Sequence, residues 1–560
     1  MFSVNIALNS GLQRGNGINQ ETLPTSVCIS LSSLPSLQMS SLLKHHTTIT
    51  KLTTVVTLGL SSKLSLLFLI RLHLLLHRLL QLTTLQFSSQ IRQEPSVTDS
   101  PHRRLRITSQ RLMLTLSPPS LHSQRRTLPF IAKTLERAVF NQLSMFLVQN
   151  NLLDSNQSGF KSGHSTETAL LSVSEALRLA RAASKSSVLI LLDLSAAFDT
   201  VNHQILLSTL RKMGISGTAL QWFKSYLPDR SFRVSWRGEV SKSQQLATGI
   251  PQGSVLGPLL FSIYMTSLGS VIQKHGFSYH CYADDTQLYF SFQPDDPTVV
   301  AHISACLSDI SSWMNDHHLQ LNLTKTELLV VPANPSFHHN FSIKLGSSTI
   351  TPSRTARNLG VVMDHQLSFT DHIATMTQSC RFALYNIRKI RPFLSDQATQ
   401  LLVQALVLSK LDYCNALLAA LPACTIKPLQ LIQNAAARVV FYESKTAHVT
   451  PLLIRLHWLT VAARINFKVL MLAYKTTTGT APTYLSSLVQ SYAPSRSLHS
   501  ASERRLVVPS QRGSKSLSLT FSWTVPSWWN DLPISIRTAE SLLIFKKHLK
   551  THLFCQQLTN

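Results

Sequence analysis

The stretch HCYADDTQLY, His280–Tyr289, places two adjacent carboxylates, Asp284 and Asp285, between two largely apolar segments. Neighbouring negative charges repel each other, and a cluster of them is stable only where solvent or cations neutralise it. One interpretation is a solvated turn. The other is a metal site, which requires further carboxylates from elsewhere in the chain.

Asp193 is the first candidate for such a carboxylate. It follows the apolar run Val188–Leu192, which has the length and composition of a buried strand. An unpaired acid at the end of a buried strand is costly to bury, which favours a functional role. Asp199 precedes a helical pattern that begins near Val201, and we predict that it is the N-cap residue of that helix, with a catalytic role as the less favoured alternative.

The segments around these acids predict how they meet. Phe277–Tyr282 and Gln287–Phe290 have the composition of strands, and Ala-Asp-Asp-Thr between them suits a tight hairpin turn. A hairpin beside the Asp193 strand would bring three carboxylates around one point. Such a set binds two Mg²⁺ ions, which activate a 3′-hydroxyl group and stabilise a pyrophosphate leaving group.

A loop rich in glycine and proline, GIPQG at Gly249–Gly253, lies between the two acidic stretches and opens a predicted helix, Ser254–Met265. Glycine allows the backbone to approach a ligand closely, and a helix N-terminus favours phosphate. The loop is therefore a candidate contact for a phosphate-bearing ligand.

The chain of 560 residues carries 52 Lys and Arg residues against 26 Asp and Glu residues, a formal net charge of +26. This excess favours a polyanionic partner, most simply nucleic acid, because each neutralised phosphate releases counterions. A basic protein of the membrane surface is the alternative. The seven cysteines show no CxxC pair and no Cys/His ligand spacing, which predicts neither a zinc site nor a disulfide framework and favours an intracellular compartment.

Residues 1–128 differ from the remainder of the chain. They hold three acidic and thirteen basic residues and are rich in Leu, Ser, Thr and His. Their most apolar run, 64–80, is interrupted by two arginines and two histidines, whereas a membrane-spanning helix requires roughly 20 mainly apolar residues. We therefore predict a low-complexity segment that is disordered or not native to the protein, with a membrane anchor as the less favoured interpretation.

Six blocks of the sequence, taken in order, resemble the motifs of reverse transcriptases. Three blocks resemble the catalytic motifs of the family: LLDLSAAFD (Leu191–Asp199), TGIPQGSVLGPLLFSIY (Thr248–Tyr264) and YADD (Tyr282–Asp285). Three more blocks resemble the motifs that flank them: QSGFKSGHSTETAL (Gln157–Leu170), WMNDHHLQLNLTKTELLVV (Trp313–Val331) and ARNLGVVMD (Ala356–Asp364). From about residue 129 to 554 the chain resembles the polymerase of LINE-type, non-LTR retrotransposons of the jockey-like branch.

The resemblance implies an α+β right-hand polymerase that copies an RNA template into DNA. It implies fingers and palm at 129–365 with an antiparallel palm sheet, a helical thumb at 366–445, and a C-terminal region of unknown role at 446–560. The implied partners are an RNA template, a DNA primer or target DNA, and dNTPs, with two Mg²⁺ ions, or Mn²⁺ as a substitute, and with neither zinc nor a membrane. An active copy would work in the nucleus, on chromosomal DNA.

The resemblance also assigns metal-binding and acid roles. It implies that Asp193, Asp284 and Asp285 are the catalytic, metal-binding acids. It implies that Lys325 is the general acid for the pyrophosphate, although a lysine in a charged turn is more often only solvated.

Four further residues match nucleotide-binding positions of the family. Lys161 would contact the incoming triphosphate as a point charge. Phe198 would be the steric gate that excludes a ribose 2′-hydroxyl group, with plain core packing as the alternative. Gln252 and Gly253 would line the loop under the template–nucleotide pair.

Downstream of the palm, Gln397–Leu421 has dense apolar positions at helical spacing, and basic residues precede it, namely Arg381, Arg388, Lys389 and Arg391. We predict a helical thumb whose cationic face binds duplex phosphates. An ordinary solvated face is the alternative.

The resemblance is incomplete at its upstream end. Proteins of this kind begin with an endonuclease domain, and residues before the match lack its acid/His constellation; SLHSQRRT at Ser120–Thr127 stands where the family has an Asn-Tyr-Arg-Pro-like stretch. We therefore expect a 5′-truncated or frame-disrupted copy. The alternative function is a catalytically inactive remnant that at most binds nucleic acid. A viral-type RNA-templated RNA polymerase is less favoured, because Phe198 and YADD follow the reverse transcriptase pattern.

Overall fold

The structure is a computed structural model of the chain, and it describes residues 130–558 except 229, 234, 237–238, 247, 337–338, 340, 347, 494–502 and 510–516. All of these described residues lie within one compact unit, His102–Asn560. The predictions for residues 1–128, including the membrane-anchor interpretation of 64–80, fall outside the described residues. In the described part, no helix is both long and apolar enough to cross a membrane.

A five-stranded sheet lies at the centre of the described fold. Its strands, numbered along the chain, are β1 (Ser186–Leu192), β2 (Ser278–Tyr282), β3 (Asp285–Phe292), β4 (Glu327–Val331) and β5 (Pro352–Ser353). They lie in the order β5-β4-β1-β3-β2, and every neighbouring pair is antiparallel except β4 and β5. The Val, Leu and Ile side chains of β1 are buried on both faces, apart from the partly buried Leu191, as the central position of the strand favours.

The register of the strands brings the acidic stretches to one end of the sheet. Leu192, the last residue of β1, pairs with Thr286 in β3. Tyr282 pairs with Asp285, so only two residues form the turn between β2 and β3. The predicted hairpin beside the strand that ends before Asp193 is confirmed.

Helices surround the sheet and continue after it. Before residue 320 the helices are Phe130–Gln149, Thr166–Ala182, His203–Lys212, Gly217–Tyr226, Gly257–Met265, Leu268–Lys274 and Val299–Asp316. After residue 365 they are Thr370–Ile390, Asp396–Val403, Ser409–Leu411, Ala423–Val440, Thr450–Leu456, Val461–Thr477, Thr483–Ser486, Phe521–Asn530, Ile534–Arg537 and Leu542–Leu558. Tighter or wider helical turns are Arg391–Phe393, Gln404–Leu408, Asn415–Leu418 and Leu517–Leu519.

Short strand pairs accompany the main sheet. They are Leu194–Ser195 with Gln320–Leu321, Arg230–Phe232 with Gln244–Leu246, Ser235–Trp236 with Glu239–Val240, Ile343–Leu345 with Ser348–Ile350, and Thr355–Asn358 with Val361–Asp364. Mixed helices and strands around a mainly antiparallel sheet, followed by a helical region, confirm the predicted α+β class.

The two faces of the sheet bury two separate hydrophobic clusters. Because side chains alternate along a strand, Val188 and Ile190 belong to one cluster and Leu189 belongs to the other. The first cluster consists of residues between 139 and 350. The second combines the helix Thr166–Ala182 with residues of the C-terminal helices. One face of the sheet is therefore covered by segments near it in sequence, and the other face by the helix that precedes β1 together with segments far along the chain.

The predicted N-cap is wrong. Asn202, rather than Asp199, caps the helix His203–Lys212. The side-chain oxygen of Asn202 accepts the backbone N–H groups of Gln204 and Ile205. Asn and Asp are equally good N-caps, so the pattern alone could not separate two such residues three positions apart.

Two predicted helices differ in extent. The helix expected at Ser254–Met265 begins at Gly257, since the preceding residues belong to the GIPQG loop and a short turn. The helix expected at Gln397–Leu421 starts at Asp396 but changes into wider and tighter helical turns from Gln404 onward. Dense apolar spacing indicates burial, but it does not reveal such changes of helical pitch.

Candidate active site

Three carboxylates meet at the end of the sheet where β1 stops. Asp193 directly follows β1, Asp284 lies in the β2–β3 turn, and Asp285 begins β3. Burial and then repulsion from Asp284 and Asp193 raise the pKa of Asp285 to about 6. Burial, with a contribution from the Asp193 charge, also raises the pKa of Asp284. The structure therefore brings these three residues close enough to interact.

Lys325 joins this cluster. Its Nζ lies 3.1 Å from Oδ2 of Asp193, in a contact that is largely exposed on the lysine side. Backbone contacts hold the two segments together: the N–H group of Asn322 donates to the Asp193 carbonyl at 2.8 Å. In addition, Leu194 pairs with Leu321. One cation thus faces three acids, and an exposed ion pair of this kind is weak in water.

The donor set suits a hard divalent cation. Carboxylate oxygens are the preferred protein ligands of Mg²⁺ and Mn²⁺. The pKa values of Asp284 and Asp285 are raised first by burial and then by neighbouring negative charge, which Lys325 only partly opposes. Within the described ranges, no three His, Cys, Asp or Glu side chains have the close arrangement of a formed metal site. The residue types and charges fit a divalent cation, and their role as ligands stays a prediction.

The QSGF segment holds the acidic turn in place. The side chain of Gln157 forms two hydrogen bonds with Ala283, the residue before Asp284: Nε2 donates to the carbonyl at 2.9 Å, and Oε1 accepts the N–H group at 2.8 Å. Ala283 needs this support because its φ of +59° lies in the left-handed region, which is unfavourable for a residue with a Cβ atom.

Gly159 packs directly against the same turn. A Cβ atom added at Gly159 would overlap the backbone nitrogen of Ala283 and lie 2.7 Å from its Cα. Sequence reasoning missed the roles of Gln157 and Gly159, because they act across more than 120 residues of chain. The only available signal was the glycine itself, which marks a close backbone approach without naming the partner.

The GIPQG loop lies on the segment that follows Asp193. The N–H group of Gly249 donates to Val201, and that of Ile250 donates to Phe198, at 2.8 and 2.9 Å. Gly249 adopts φ +91° and has no room for a side chain beside Asp199. Beyond it, the exposed Gln252 donates through Nε2 to both carboxylate oxygens of Asp199, at 3.2 and 3.3 Å. The two motifs are therefore assembled into one surface.

The remaining predicted residues lie around this surface. Gly253 is exposed, with φ +79° and open space around its Cα. Phe198 is partly buried, stacks on Phe261 with ring centroids 4.5 Å apart, and meets the exposed Phe160 edge to face. Lys161, next to Phe160, donates from Nζ to the carbonyl of Asp154 at 3.2 Å, and burial lowers its pKa. Its proposed contact with a triphosphate stays a prediction.

Part of this chain is similar to a family of known proteins. Residues 119–363 match the family described as reverse transcriptase (RNA-dependent DNA polymerase). The chain is 27% identical over 274 residues to the probable RNA-directed DNA polymerase from transposon BS of Drosophila melanogaster, which covers 46% of this chain and 29% of that protein. It is 27% identical over 276 residues to the RNA-directed DNA polymerase from mobile element jockey of the same fly, covering 47% of this chain and 29% of that protein.

Further matches include another transposon polymerase and a solved structure. The probable RNA-directed DNA polymerase from transposon X-element of Drosophila melanogaster is 25% identical over 350 residues, covering 59% of this chain and 37% of that protein. The chain thus spans about a third of the length of these relatives. Among solved structures, apo telomerase from Candida Tropicalis matches with a TM-score of 0.33 and 12% identity, covering 64% of this chain and 61% of that chain.

Proposed function

Because residues 119–363 match the reverse transcriptase family, we propose that the chain is the RNA-templated DNA polymerase of a non-LTR retrotransposon of the jockey type. The observation that carries this proposal is the meeting of Asp193, Asp284 and Asp285 at one end of the sheet, where their charges interact. The arrangement of the GIPQG loop beside them supports it. The chemistry is nucleotidyl transfer from a dNTP to the 3′-end of a primer.

The three aspartates are the proposed ligands of two Mg²⁺ ions, for which Mn²⁺ is a substitute. Such ions, when bound, lower the pKa of the attacking hydroxyl group and neutralise charge on the phosphates. The protein contributes the rigid strands that carry the carboxylates, and it keeps like charges close together at a site that a cation stabilises.

In the proposed reaction, the 3′-hydroxyl oxygen of the primer forms a bond to the α-phosphorus of the dNTP. The bond from that phosphorus to the oxygen that bridges the α- and β-phosphates breaks, and pyrophosphate leaves. The hydroxyl proton passes to solvent, and Lys325 gives a proton to the pyrophosphate. Its Nζ already lies beside Asp193, which supports this role as general acid.

The proposed nucleotide site is built from the surrounding residues. Gln252 and Gly253 lie under the template–nucleotide pair, where Gln252 is held by its hydrogen bonds to Asp199. Phe198 excludes a 2′-hydroxyl group, and its stacking on a buried ring supports a fixed position for such a gate. Lys161 reaches the triphosphate after leaving the Asp154 carbonyl.

The larger assignments are part of the same proposal. Residues 129–365 are fingers and palm, 366–445 are the thumb, and 446–560 are a C-terminal region. The net charge of +26 supports binding of an RNA template and a DNA primer. Priming on chromosomal DNA would place the protein in the nucleus.

Primer extension tests the proposal directly. We expect the full chain to extend a DNA primer on an RNA template with dNTPs and Mg²⁺. The Asp284→Asn, Asp285→Asn double variant should lose extension by at least roughly a thousandfold, because it removes two metal-binding charges. Duplex binding by both proteins, measured by fluorescence anisotropy, is the control. If both proteins bind the duplex and neither extends the primer, the chain is an inactive remnant that binds nucleic acid.

A further inference from the structure

One tyrosine of the C-terminal region contacts residues that pack beside the acidic turn. Tyr484, in the short helix Thr483–Ser486, has its hydroxyl group 2.9 Å from Oγ of Ser158 and 3.0 Å from Oγ1 of Thr168. Its ring meets the ring of His280 edge to face, with centroids 4.7 Å apart. Its three partners Ser158, Thr168 and His280 are buried almost completely, so the hydroxyl group satisfies polar atoms that water does not reach.

Ser158 connects this contact to the acidic turn. Its Oγ lies 2.8 Å from Nε2 of His280, and its N–H group donates to the carbonyl of Cys281 at 2.8 Å. Both residues belong to β2, the strand that leads into Asp284. The neighbours of Ser158 in sequence are Gln157 and Gly159, which hold the turn itself. A displacement of Ser158 would therefore disturb β2 just before the turn that carries Asp284.

Two buried glutamates attach the helix Thr166–Ala182 to the same C-terminal helices. Glu175 accepts the N–H groups of Phe521 and Ser522, at 2.7 and 3.0 Å, at the start of the helix Phe521–Asn530. A carboxylate at a helix N-terminus is a favourable partner for those unpaired donors. The helix Thr166–Ala182 also contributes Thr168 to the contact with Tyr484. The helix Thr166–Ala182 is therefore attached to the C-terminal region at two separate points, Thr168 and Glu175.

Glu167 forms the corresponding anchor near the other end of the helix. It accepts the N–H group of Ala416 at 3.0 Å and pairs with Lys468, whose Nζ lies 3.3 Å away. Both glutamate side chains are buried, and a buried carboxylate is tolerated only when it is hydrogen-bonded or paired in this way. The C-terminal helices are thus bound to the palm by specific polar contacts as well as by apolar packing.

We propose that the region 446–560 is a working part of the active site, and that Tyr484 is a positioning residue for the hairpin that carries Asp284 and Asp285. This inference rests on the proposed polymerase function. Like charges in the turn repel one another, so the turn needs support from outside itself. Ser158 supplies that support on one side, and Tyr484 holds Ser158. Tyr484 lies outside the matched family segment 119–363.

The test compares two conservative variants of the full chain. Tyr484→Phe removes one hydroxyl group and keeps the ring on His280. Tyr474→Phe is the matched control, because Tyr474 also lies in the C-terminal region, is buried, and donates to the carbonyl of Ala539 at 3.0 Å, away from the hairpin. We expect Tyr484→Phe to lower kcat of primer extension about tenfold, because misplaced reacting groups slow the chemical step. The KM for dNTP and the primer–template Kd should stay within about twofold.

Hydrogen–deuterium exchange provides a readout that is independent of activity. We expect faster exchange of amides in 277–290 for Tyr484→Phe, and unchanged exchange there for Tyr474→Phe. Ser158→Ala should reproduce the effect of Tyr484→Phe, since it removes the other partner of the same hydrogen bond. If the wild-type chain extends no primer, the exchange result still tests the inference. Equal exchange and equal kcat in the two tyrosine variants would overturn it.

Discussion

Asp285 is the residue at which stability and the proposed activity conflict most clearly. Burial and the charges of Asp284 and Asp193 raise its pKa to about 6, and Lys325 only partly opposes this. Between an unfolded pKa near 3.8 and this value, the folded protein binds more protons than the unfolded chain. The free energy of unfolding therefore falls as the pH rises through this window and stays reduced above it.

Replacing Asp285 by Asn should therefore stabilise the metal-free protein. At pH 7.5 we expect Asp285→Asn to raise the free energy of unfolding by roughly 1–2 kcal/mol, after allowance for solvent screening of a partly exposed group. Near pH 3.5 the gain should largely disappear, because the Asp285 carboxyl group is then mostly protonated in both the folded and the unfolded chain. Urea denaturation at the two pH values, with and without Mg²⁺, measures the effect.

A control variant is available in the loop after β3. Asp295 is exposed, and Asp295→Asn should change the free energy of unfolding very little at either pH. Added Mg²⁺ should stabilise the wild type more than Asp285→Asn, since the cation relieves the same repulsion. A wild type that is already more stable than Asp285→Asn at pH 7.5 without metal would contradict this account of the site.

The β2–β3 hairpin depends on close backbone packing rather than on its own turn chemistry. Its first turn residue is Ala283, not the Gly or Asn that a positive φ favours. The hydrogen bonds from Gln157 and the absence of a side chain at Gly159 compensate for this choice. The turn and the QSGF segment are therefore one structural unit, although they are far apart in sequence.

Gly159→Ala should separate steric packing from backbone preference. The added methyl group would overlap the backbone of Ala283, so we expect a loss of roughly 2–3 kcal/mol in the free energy of unfolding. Gly276→Ala is the comparison, since Gly276 has φ +67° and open space around it, and should lose only about 1 kcal/mol. Thermal or urea denaturation measures both. An equal or smaller loss for Gly159→Ala would argue against a close contact at the turn.

In the whole molecule, one face of the sheet is completed by residues far along the chain. Leu189 of β1 shares its cluster with side chains of the C-terminal helices, and Glu167 and Glu175 attach the helix Thr166–Ala182 to later parts of the chain. The helix Thr370–Ile390 packs within the same cluster and leaves an exposed face of basic and aromatic side chains, namely Arg381, Phe382, Tyr385, Arg388 and Lys389. This is the face that the thumb assignment predicts for duplex phosphates, except that Arg391 is buried and donates to the carbonyls of Val439 and Val440.

Neutralising this basic face should weaken binding and reduce its dependence on salt. For the triple variant Arg381→Gln, Arg388→Gln, Lys389→Gln, we expect the slope of log K against log salt concentration to fall in magnitude by about 2–3, because each lost phosphate contact removes about 0.9. Fluorescence anisotropy with an RNA–DNA duplex between low and moderate salt measures the slope.

The control for this prediction changes the net charge equally at other exposed sites. Lys344, Lys445 and Lys547 are exposed and lie outside the helix Thr370–Ile390. Their triple replacement by Gln should leave the slope within about one unit of the wild-type value. If the slope falls by the same amount in both triple variants, binding depends on overall charge and not on the basic face of the helix Thr370–Ile390.

Sequence patterns over a few neighbouring residues were sufficient to predict much of the fold and the candidate acids. The β1 strand, the β2–β3 hairpin and the position of Asp193 at a strand end follow from apolar runs and turn residues, which act over a few positions. The motif order led to the reverse transcriptase family, and residues 119–363 confirm that resemblance. The N-cap of the helix His203–Lys212 was mispredicted because Asp199 and Asn202 are chemically equivalent as caps.

Contacts between distant segments could be known only from the folded chain. The pairing of Lys325 with Asp193, the support of Ala283 by Gln157, and the contact of Tyr484 with Ser158 each join residues more than 120 positions apart. No local periodicity encodes such pairs, because they depend on how strands are ordered and on which helices cover each face of the sheet. Local composition therefore specifies the groups that can do chemistry, whereas packing decides which of them meet.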